Sequence, residues 1–200
     1  MVFAKIIWLW LAYLAGSFPF GLFIAQAFRG VDPRLAGSGN IGATNVARLC
    51  GTKLGVATLT LDALKGFIPV AVAWRMSPDS SFFAGLAALA AICGHMFPVF
   101  LHYKGGKGVA TTIGAFLALS PWATLISGLL CLVAIVATGF VSVGSLLLAA
   151  SLPFTVWGDT GFASVPITIV IACLVVWKHR ENISRLKAGT EKPWRKKAGV

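Results

Sequence analysis

The stretch LGVATLTLDALKGFIPVAVAW, residues 54–74, is apolar along its length except for Asp62 and Lys65. As an α-helix, its roughly 31 Å matches the hydrocarbon thickness of a bilayer, which makes it a transmembrane span. An unpaired charge near the midplane would cost roughly 2.5–3.5 kcal/mol, and three-residue spacing puts both charges on one helix face, so Asp62 and Lys65 are expected to pair. That pair reads equally as a structural ion pair or as a distant brace for a functional site, with a proton or ion pathway as the less favoured alternative.

Working outward, Ile6 to Phe28 and Phe82 to Leu101 are spans of the same kind. Beyond Gly108 the apolar chain breaks into Val109 to Leu119, Trp122 to Phe140, Val143 to Trp157 and Val165 to Trp177. The shorter pieces would cover only about 17–23 Å, so they must stand upright, meet a thinned bilayer or pack against other helices. Gly16-Ser17-Phe18-Pro19-Phe20-Gly21 predicts a kink or a close helix contact inside the first span. A chain that is 58% hydrophobic and 12% charged over 200 residues cannot hide its apolar surface in one water-soluble core.

The net charge of +11 is distributed as a topology signal and does not point to nucleic acid. Arg29, Arg34, Arg48 and Lys53 follow the first span, Lys104 and Lys107 follow the third, and eight more basic residues lie between Lys178 and Lys197. Short loops rich in Lys and Arg stay in the cytoplasm. The opposite ends carry Asp79 and Asp159, and Trp8, Trp10, Trp74, Trp122 and Trp157 form an aromatic belt, with Lys5 and Arg75 as basic exceptions. The N-terminus is then outside and the C-terminus inside, which requires an odd number of crossings. Seven is preferred over five, because five would strand the apolar run from Val143 to Val156 outside the membrane. The expected fold is all-α, a polytopic membrane helix bundle of seven spans forming one domain over residues 1–200.

Three polar clusters interrupt this scaffold. In GSGNIGATNVAR, residues 37–48, a glycine-rich loop is expected to run into a short helix from about Ala43. Glycines let backbone N–H groups approach a ligand closely, and a helix N-terminus attracts anions. Ser38, Asn40 and Asn45 offer neutral hydrogen-bonding groups, and Arg48 can grip a phosphate through two donors. In HYKGGKGVATT, residues 102–112, Lys104 and Lys107 sit among Gly105, Gly106 and Gly108 at the mouth of the fourth span, a composition suited to holding phosphate. It is no Walker A loop, which would need glycine at Leu101 and a hydroxyl at Gly108. In KHRENISRL, residues 178–186, His179 and Asn182 would share one face if the helix continued.

Each cluster alone could be a juxtamembrane turn or a solvated basic segment. The topology above puts all three, together with Ser142, on the cytoplasmic side, where cations and amides suit a phosphorylated ligand and the bilayer surface suits an acyl chain. Cys50, Cys93, Cys131 and Cys173 are scattered without metal-ligand spacing, and no carboxylate cluster stands out, so no metal or other cofactor is expected.

GSFPFG at 16–21, SGNIGATNVAR at 38–48, LDALKG at 61–66, GHMFPVFLHYKGGKGVATTIG at 94–114, VSVGS at 141–145 and HRENISRLKAGTE at 179–191 together resemble the acylphosphate-dependent glycerol-3-phosphate acyltransferases. The resemblance spans nearly the whole chain. It implies an enzyme of the bacterial inner membrane that moves an acyl group from acyl phosphate to glycerol 3-phosphate, giving lysophosphatidic acid and phosphate. It also implies that Ser38, Arg48, His179 and Asn182 matter for activity, that Gly105 to Gly108 with Lys107 bind phosphate, and that Glu191 is structural. Ser142 matches on a shorter stretch, with Ser145 as a rival.

Because acyl phosphate carries its own good leaving group, positioning and charge neutralisation can suffice. The HxxxxD dyad of soluble-type glycerolipid acyltransferases is absent, since Phe100, Lys107 and Ser184 stand five residues beyond His95, His102 and His179. The hydroxyl proton then goes either to His179 or, as favoured here, to the substrate's own phosphate. The competing reading from another class is a small transporter of phosphorylated solutes, which would be expected to show an internal repeat and a midplane site.

Overall fold

The computed structural model describes residues 2–194; Arg195, Lys196 and Lys197 of the basic tail lie outside the described residues. Among the described residues all regular structure is helical, and the chain groups into two compact units, one ending at Leu119 and the other beginning at Ser120.

The first unit contains α1 (Val2–Ser17), α2 (Phe20–Arg29), α3 (Ala43–Cys50), α4 (Thr52–Met76), α5 (Ser81–Met96) and α6 (Val109–Leu119), with a short 3₁₀ turn at Val99–Leu101. The first apolar segment is one 28-residue stretch from Val2 to Arg29, broken at Phe18-Pro19, where proline ends one helix and another begins. Close contacts follow on both sides of the α1–α5 packing: a Cβ on Gly16 of α1 would lie 2.0 Å from the Ala91 carbonyl oxygen, and one on Gly94 of α5 would lie 2.2 Å from that of Tyr13. The GSFPFG segment therefore supplies both the kink and the contact expected of it. Small residues allow α1 and α5 to pack backbone to backbone, the arrangement favoured where lipid offers no hydrophobic drive between helices. On α6, Gly114 likewise faces the backbone of Ala63 on α4.

Asp62 and Lys65 pair at 2.8 Å, and both are buried. Lys65 Nζ also donates to the Phe18 carbonyl at 2.7 Å, so the ammonium serves one of the backbone groups exposed where α1 breaks. At the other end of α1, Lys5 Nζ donates to Ser77 Oγ at 3.0 Å.

The second unit contains α7 (Pro121–Thr138), α8 (Val141–Thr160), a 3₁₀ turn at Phe162–Ser164, α9 (Val165–Lys178) and α10 (Arg180–Lys187). Proline opens α7 and Gly139 closes it in a left-handed conformation, so both ends are set locally. Ser127 and Thr155 join α7 to α8 through their hydroxyls at 3.0 Å, and Ser120 Oγ donates to Asp159.

Among the described residues, five helical segments are long and apolar enough to cross a bilayer, or six if the bent pair of α9 and α10 is counted as one. The 11-residue α6 is too short to qualify by itself. Its buried Thr111, Thr112, Ala115 and Phe116 face the first unit's interior, so packing rather than length secures it. Large side chains on α7 point the other way: Leu129 is 60% exposed and Val136 78%, as lipid-facing residues must be.

Candidate functional site

In the first polar cluster, helix α3 begins at Ala43 as the sequence indicates. Val46 and Cys50 bury against Ile24 and Ala25 of α2. This seats the loop from Asp32 to Gly42. Asn45, almost fully buried, is the loop's organiser. Its Nδ2 lies within 2.9–3.1 Å of the carbonyls of Pro33, Ala36 and Asn40, and its Oδ1 accepts from the Ser38 N–H at 2.9 Å. Gly37, at φ +67°, passes so close that a Cβ there would sit 2.2 Å from Asn45 Oδ1. Asn40 Oδ1 accepts from the Gly42 N–H at 2.8 Å, closing the turn. Asn45 therefore spends its amide, and Asn40 its side-chain oxygen, on the loop, which presents Ser38 and, in the last turn of α3, Arg48, both exposed.

In the second cluster, His102 and Tyr103 both adopt positive φ, turning the chain back towards the end of α5. Gly105 N–H donates to the Met96 carbonyl at 3.2 Å and Gly106 N–H to the His95 carbonyl at 3.1 Å. These carbonyls belong to the last turn of α5, where a helix lacks internal donors. Two of the glycine amides expected to hold phosphate are thus engaged by the protein. The loop instead offers exposed Lys104, half-buried Lys107 and the backbone at the start of α6.

The third cluster differs from an uninterrupted helix. The chain turns by 54° between α9 and α10, with His179 at the break. His179 is buried, and its Nδ1 lies 2.8 Å from the Val175 carbonyl. A carbonyl can only accept, so Nδ1 carries the proton and a neutral His179 has its lone pair on Nε2.

Glu191 gathers the rest. Its Oε1 accepts from Ser142 Oγ at 2.8 Å and Asn182 Nδ2 at 2.6 Å, while Oε2 accepts from Arg185 Nε at 2.7 Å. Ser145 turns to its own helix, donating to Val141, so Ser142 rather than its rival joins this network. Burial works to raise the Glu191 pKa, but the hydrogen bonds from Asn182, Arg185 and Ser142 outweigh it and hold the carboxyl below the ordinary glutamate range. A lowered folded-state pKa contributes stability above the unfolded value, about 4.3, and loses it as pH falls through the folded value. Glu191→Gln should lower the Tm of the detergent-solubilised protein by a few degrees at pH 7, and the difference from wild type should shrink below about pH 4. A difference that persists in acid would mean the carboxylate charge is not what holds Ser142, Asn182 and Arg185.

Within the described residues no group of three or more His, Cys, Asp or Glu is placed to hold a metal ion.

The family profile described as Glycerol-3-phosphate acyltransferase matches residues 6–189. The chain belongs to this family. Among relatives in the glycerol-3-phosphate acyltransferase family, the chain is 55% identical over 193 residues to a protein of Nitratidesulfovibrio vulgaris, matching 96% of this chain but 59% of the longer relative. It is 56% identical to one of Solidesulfovibrio magneticus, covering 93% of each. Two crystal structures of PlsY (YgiH), an integral membrane glycerol 3-phosphate acyltransferase, are each 41% identical and cover 95% of both chains. The TM-score is 0.91 for the glycerol 3-phosphate form and 0.88 for the lysophosphatidic acid form.

The glycerol-3-phosphate acyltransferase resemblance read from the six sequence stretches is therefore matched along nearly the whole chain. Sequence reading did not single out His95, a buried residue whose carbonyl accepts from the Gly106 N–H. The signal was in GHMFPVF, where a histidine sits at the end of an otherwise apolar run.

Proposed function

We infer that this protein is a membrane glycerol-3-phosphate acyltransferase that takes its acyl group from acyl phosphate. The single observation that carries the reading is the match to PlsY in its glycerol 3-phosphate form, at TM-score 0.91 and 41% identity over 95% of each chain.

Seven apolar segments cross the bacterial inner membrane, with the N-terminus outside, the C-terminus in the cytoplasm, and residues 1–200 forming one acyltransferase domain. The placement of fourteen of the seventeen Lys and Arg residues supports this topology. The reaction takes place at the cytoplasmic face. The glycerol 3-phosphate hydroxyl attacks the acyl carbonyl carbon, the bond from that carbon to the phosphate oxygen breaks, and inorganic phosphate leaves as lysophosphatidic acid forms. Arg48 and Lys107 neutralise phosphate charge, with Lys104 and the loop of Gly105, Gly106 and Gly108 bringing Lys107 to the ligand. Ser38 hydrogen-bonds substrate from a loop shaped by Asn40 and Asn45. His179 and Asn182 orient the acceptor, and Glu191 with Ser142 holds Asn182 in place.

The hydroxyl proton passes to the substrate's own phosphate, because His179 is oriented by a backbone carbonyl rather than a carboxylate that would strengthen it as a base. His179→Gln should then keep most of kcat at saturating substrate, while His179→Ala raises KM for glycerol 3-phosphate. A rate governed by one pKa near 6.5 that disappears in His179→Gln would assign the proton to the imidazole. No cofactor takes part, and EDTA should leave turnover unchanged.

The test of the reaction is a choice of donor. Purified protein in detergent should release phosphate from palmitoyl phosphate only when glycerol 3-phosphate is present and should form lysophosphatidic acid. Formation of that product from palmitoyl-CoA but not palmitoyl phosphate would reject the donor assignment.

A further inference from the structure

The buried cluster of Asp62, Lys65 and His95 lies within the first unit, and none of the three is given a part in the reaction above. Asp62 Oδ1 is 2.8 Å from Lys65 Nζ and 3.6 Å from His95 Nδ1, and the side chains of all three are almost completely buried. One of the three touches the glycine loop. The His95 carbonyl accepts from Gly106 N–H, the neighbouring Met96 carbonyl accepts from Gly105 N–H, and a Cβ on Gly106 would fall 2.1 Å from His95 Nε2. The imidazole therefore sits between the Asp62 carboxylate on α4, 3.6 Å from its Nδ1, and Gly106, the residue immediately before Lys107, against its Nε2 edge.

We propose that His95 is a positioning residue: clamped by Asp62, it sets the height and direction of the glycine loop and thereby where Lys107 meets the substrate phosphate. Two features of the arrangement support this. Nothing larger than glycine fits above the ring, since a Cβ on Gly106 would fall 2.1 Å from Nε2. The ion pair that fixes Asp62 also ties down the α1–α2 break through Phe18, so the support under the loop is cross-linked to two other helices. The motif LDALKG thus acts on the motif HYKGGKG through one side chain.

The inference rests on the acyltransferase reading, so its test has an arm that needs no turnover. Hydrogen exchange on the ligand-free protein should show the amides of Gly105 and Gly106 exchanging about tenfold faster in His95→Asn than in wild type. Asn can reach Asp62 but withdraws from Gly106. His95→Gln, whose amide reaches the position of Nε2, should restore much of the protection; if His95→Asn fails to fold, Gly106→Ala, whose Cβ would fall 2.1 Å from His95 Nε2, serves in its place and should show the same faster exchange at Gly105. In the kinetic arm, His95→Asn should lower kcat/KM about 10²-fold in the wild-type background but by less than about threefold in Lys107→Ala, because a positioning residue has nothing left to position. A control, Ser127→Ala in the second unit, should be additive with Lys107→Ala.

Unchanged exchange at Gly105 and Gly106, or a full His95→Asn loss in the Lys107→Ala background, would overturn the proposal. Should wild type itself fail to use palmitoyl phosphate, the reaction assignment falls, while the exchange difference still decides whether His95 holds the loop.

Discussion

Lys107→Ala should lower kcat/KM for phosphate release about 10²- to 10³-fold while moving the Tm in detergent by no more than about 2 °C. The magnitude follows from the task. Phosphate is the leaving group, charge gathers on it as the anhydride bond breaks, and one preplaced cation removed from such a position typically raises the barrier by about 3–4 kcal/mol. Lys107 is half-buried between Gly106 and Gly108, so its ammonium works near low-dielectric surroundings rather than in open water. Lys107→Arg should recover part of the loss, since it restores charge but not the compact single-point geometry of an ammonium. Initial rates over a matrix of both substrates would check this. A loss below about threefold would move the phosphate grip to Arg48 or Lys104.

Gly106→Ala carries the second large effect. The added methyl would sit 2.1 Å from His95 Nε2 and about 3 Å from two further ring atoms, and the buried ring has Asp62 Oδ1 3.6 Å from its opposite edge. The loop must lift instead. Gly105→Ala meets the His95 carbonyl at 2.1 Å and the Pro98 ring at 2.4 Å, so it presses in the same direction. A displacement near 1 Å at Lys107 should cost about 10²-fold in kcat/KM. Gly128→Ala on α7 is the fitting comparison, because nothing lies within 4 Å of its would-be Cβ; it should leave both activity and Tm within experimental scatter. Equal behaviour of Gly106→Ala and Gly128→Ala in steady-state kinetics would mean that the close approach to His95 carries no functional weight.

Much of this architecture is legible in the sequence because a bilayer leaves few choices. A run such as residues 54–74 has to satisfy its backbone internally, so length and apolarity alone place α4 to within two residues at either end. The same holds for α7 and α9, whereas α5 ends at Met96 rather than Leu101 and α8 runs on to Thr160 rather than Trp157. The Asp62–Lys65 pair was legible for a related reason, since two buried charges three residues apart have one inexpensive arrangement.

What the sequence left open depends on long-range geometry. The bend at His179 follows no proline or glycine, and arises where the ring turns back to the Val175 carbonyl. The glycines of residues 105–108 read as a generic phosphate loop, yet two of their amides answer the unsatisfied end of α5, a partner that only tertiary placement reveals. Asn45 reads as a ligand contact by residue type, but its burial turns every polar atom of its amide towards loop backbone. Glu191 lies beyond α10 with no periodic pattern around it, so the partners it gathers, Ser142, Asn182 and Arg185, could not be paired from spacing.

The central claim is that the three polar clusters meet their substrates from the cytoplasm, and sidedness labelling tests it most directly. Ser38→Cys, Lys104→Cys and Arg180→Cys would each be built in a background with the native cysteines replaced. They would then be treated with a membrane-impermeant maleimide in inverted and in right-side-out vesicles. All three should react in inverted vesicles and stay unlabelled in right-side-out ones. Labelling of any one of them from the outer face would contradict the account.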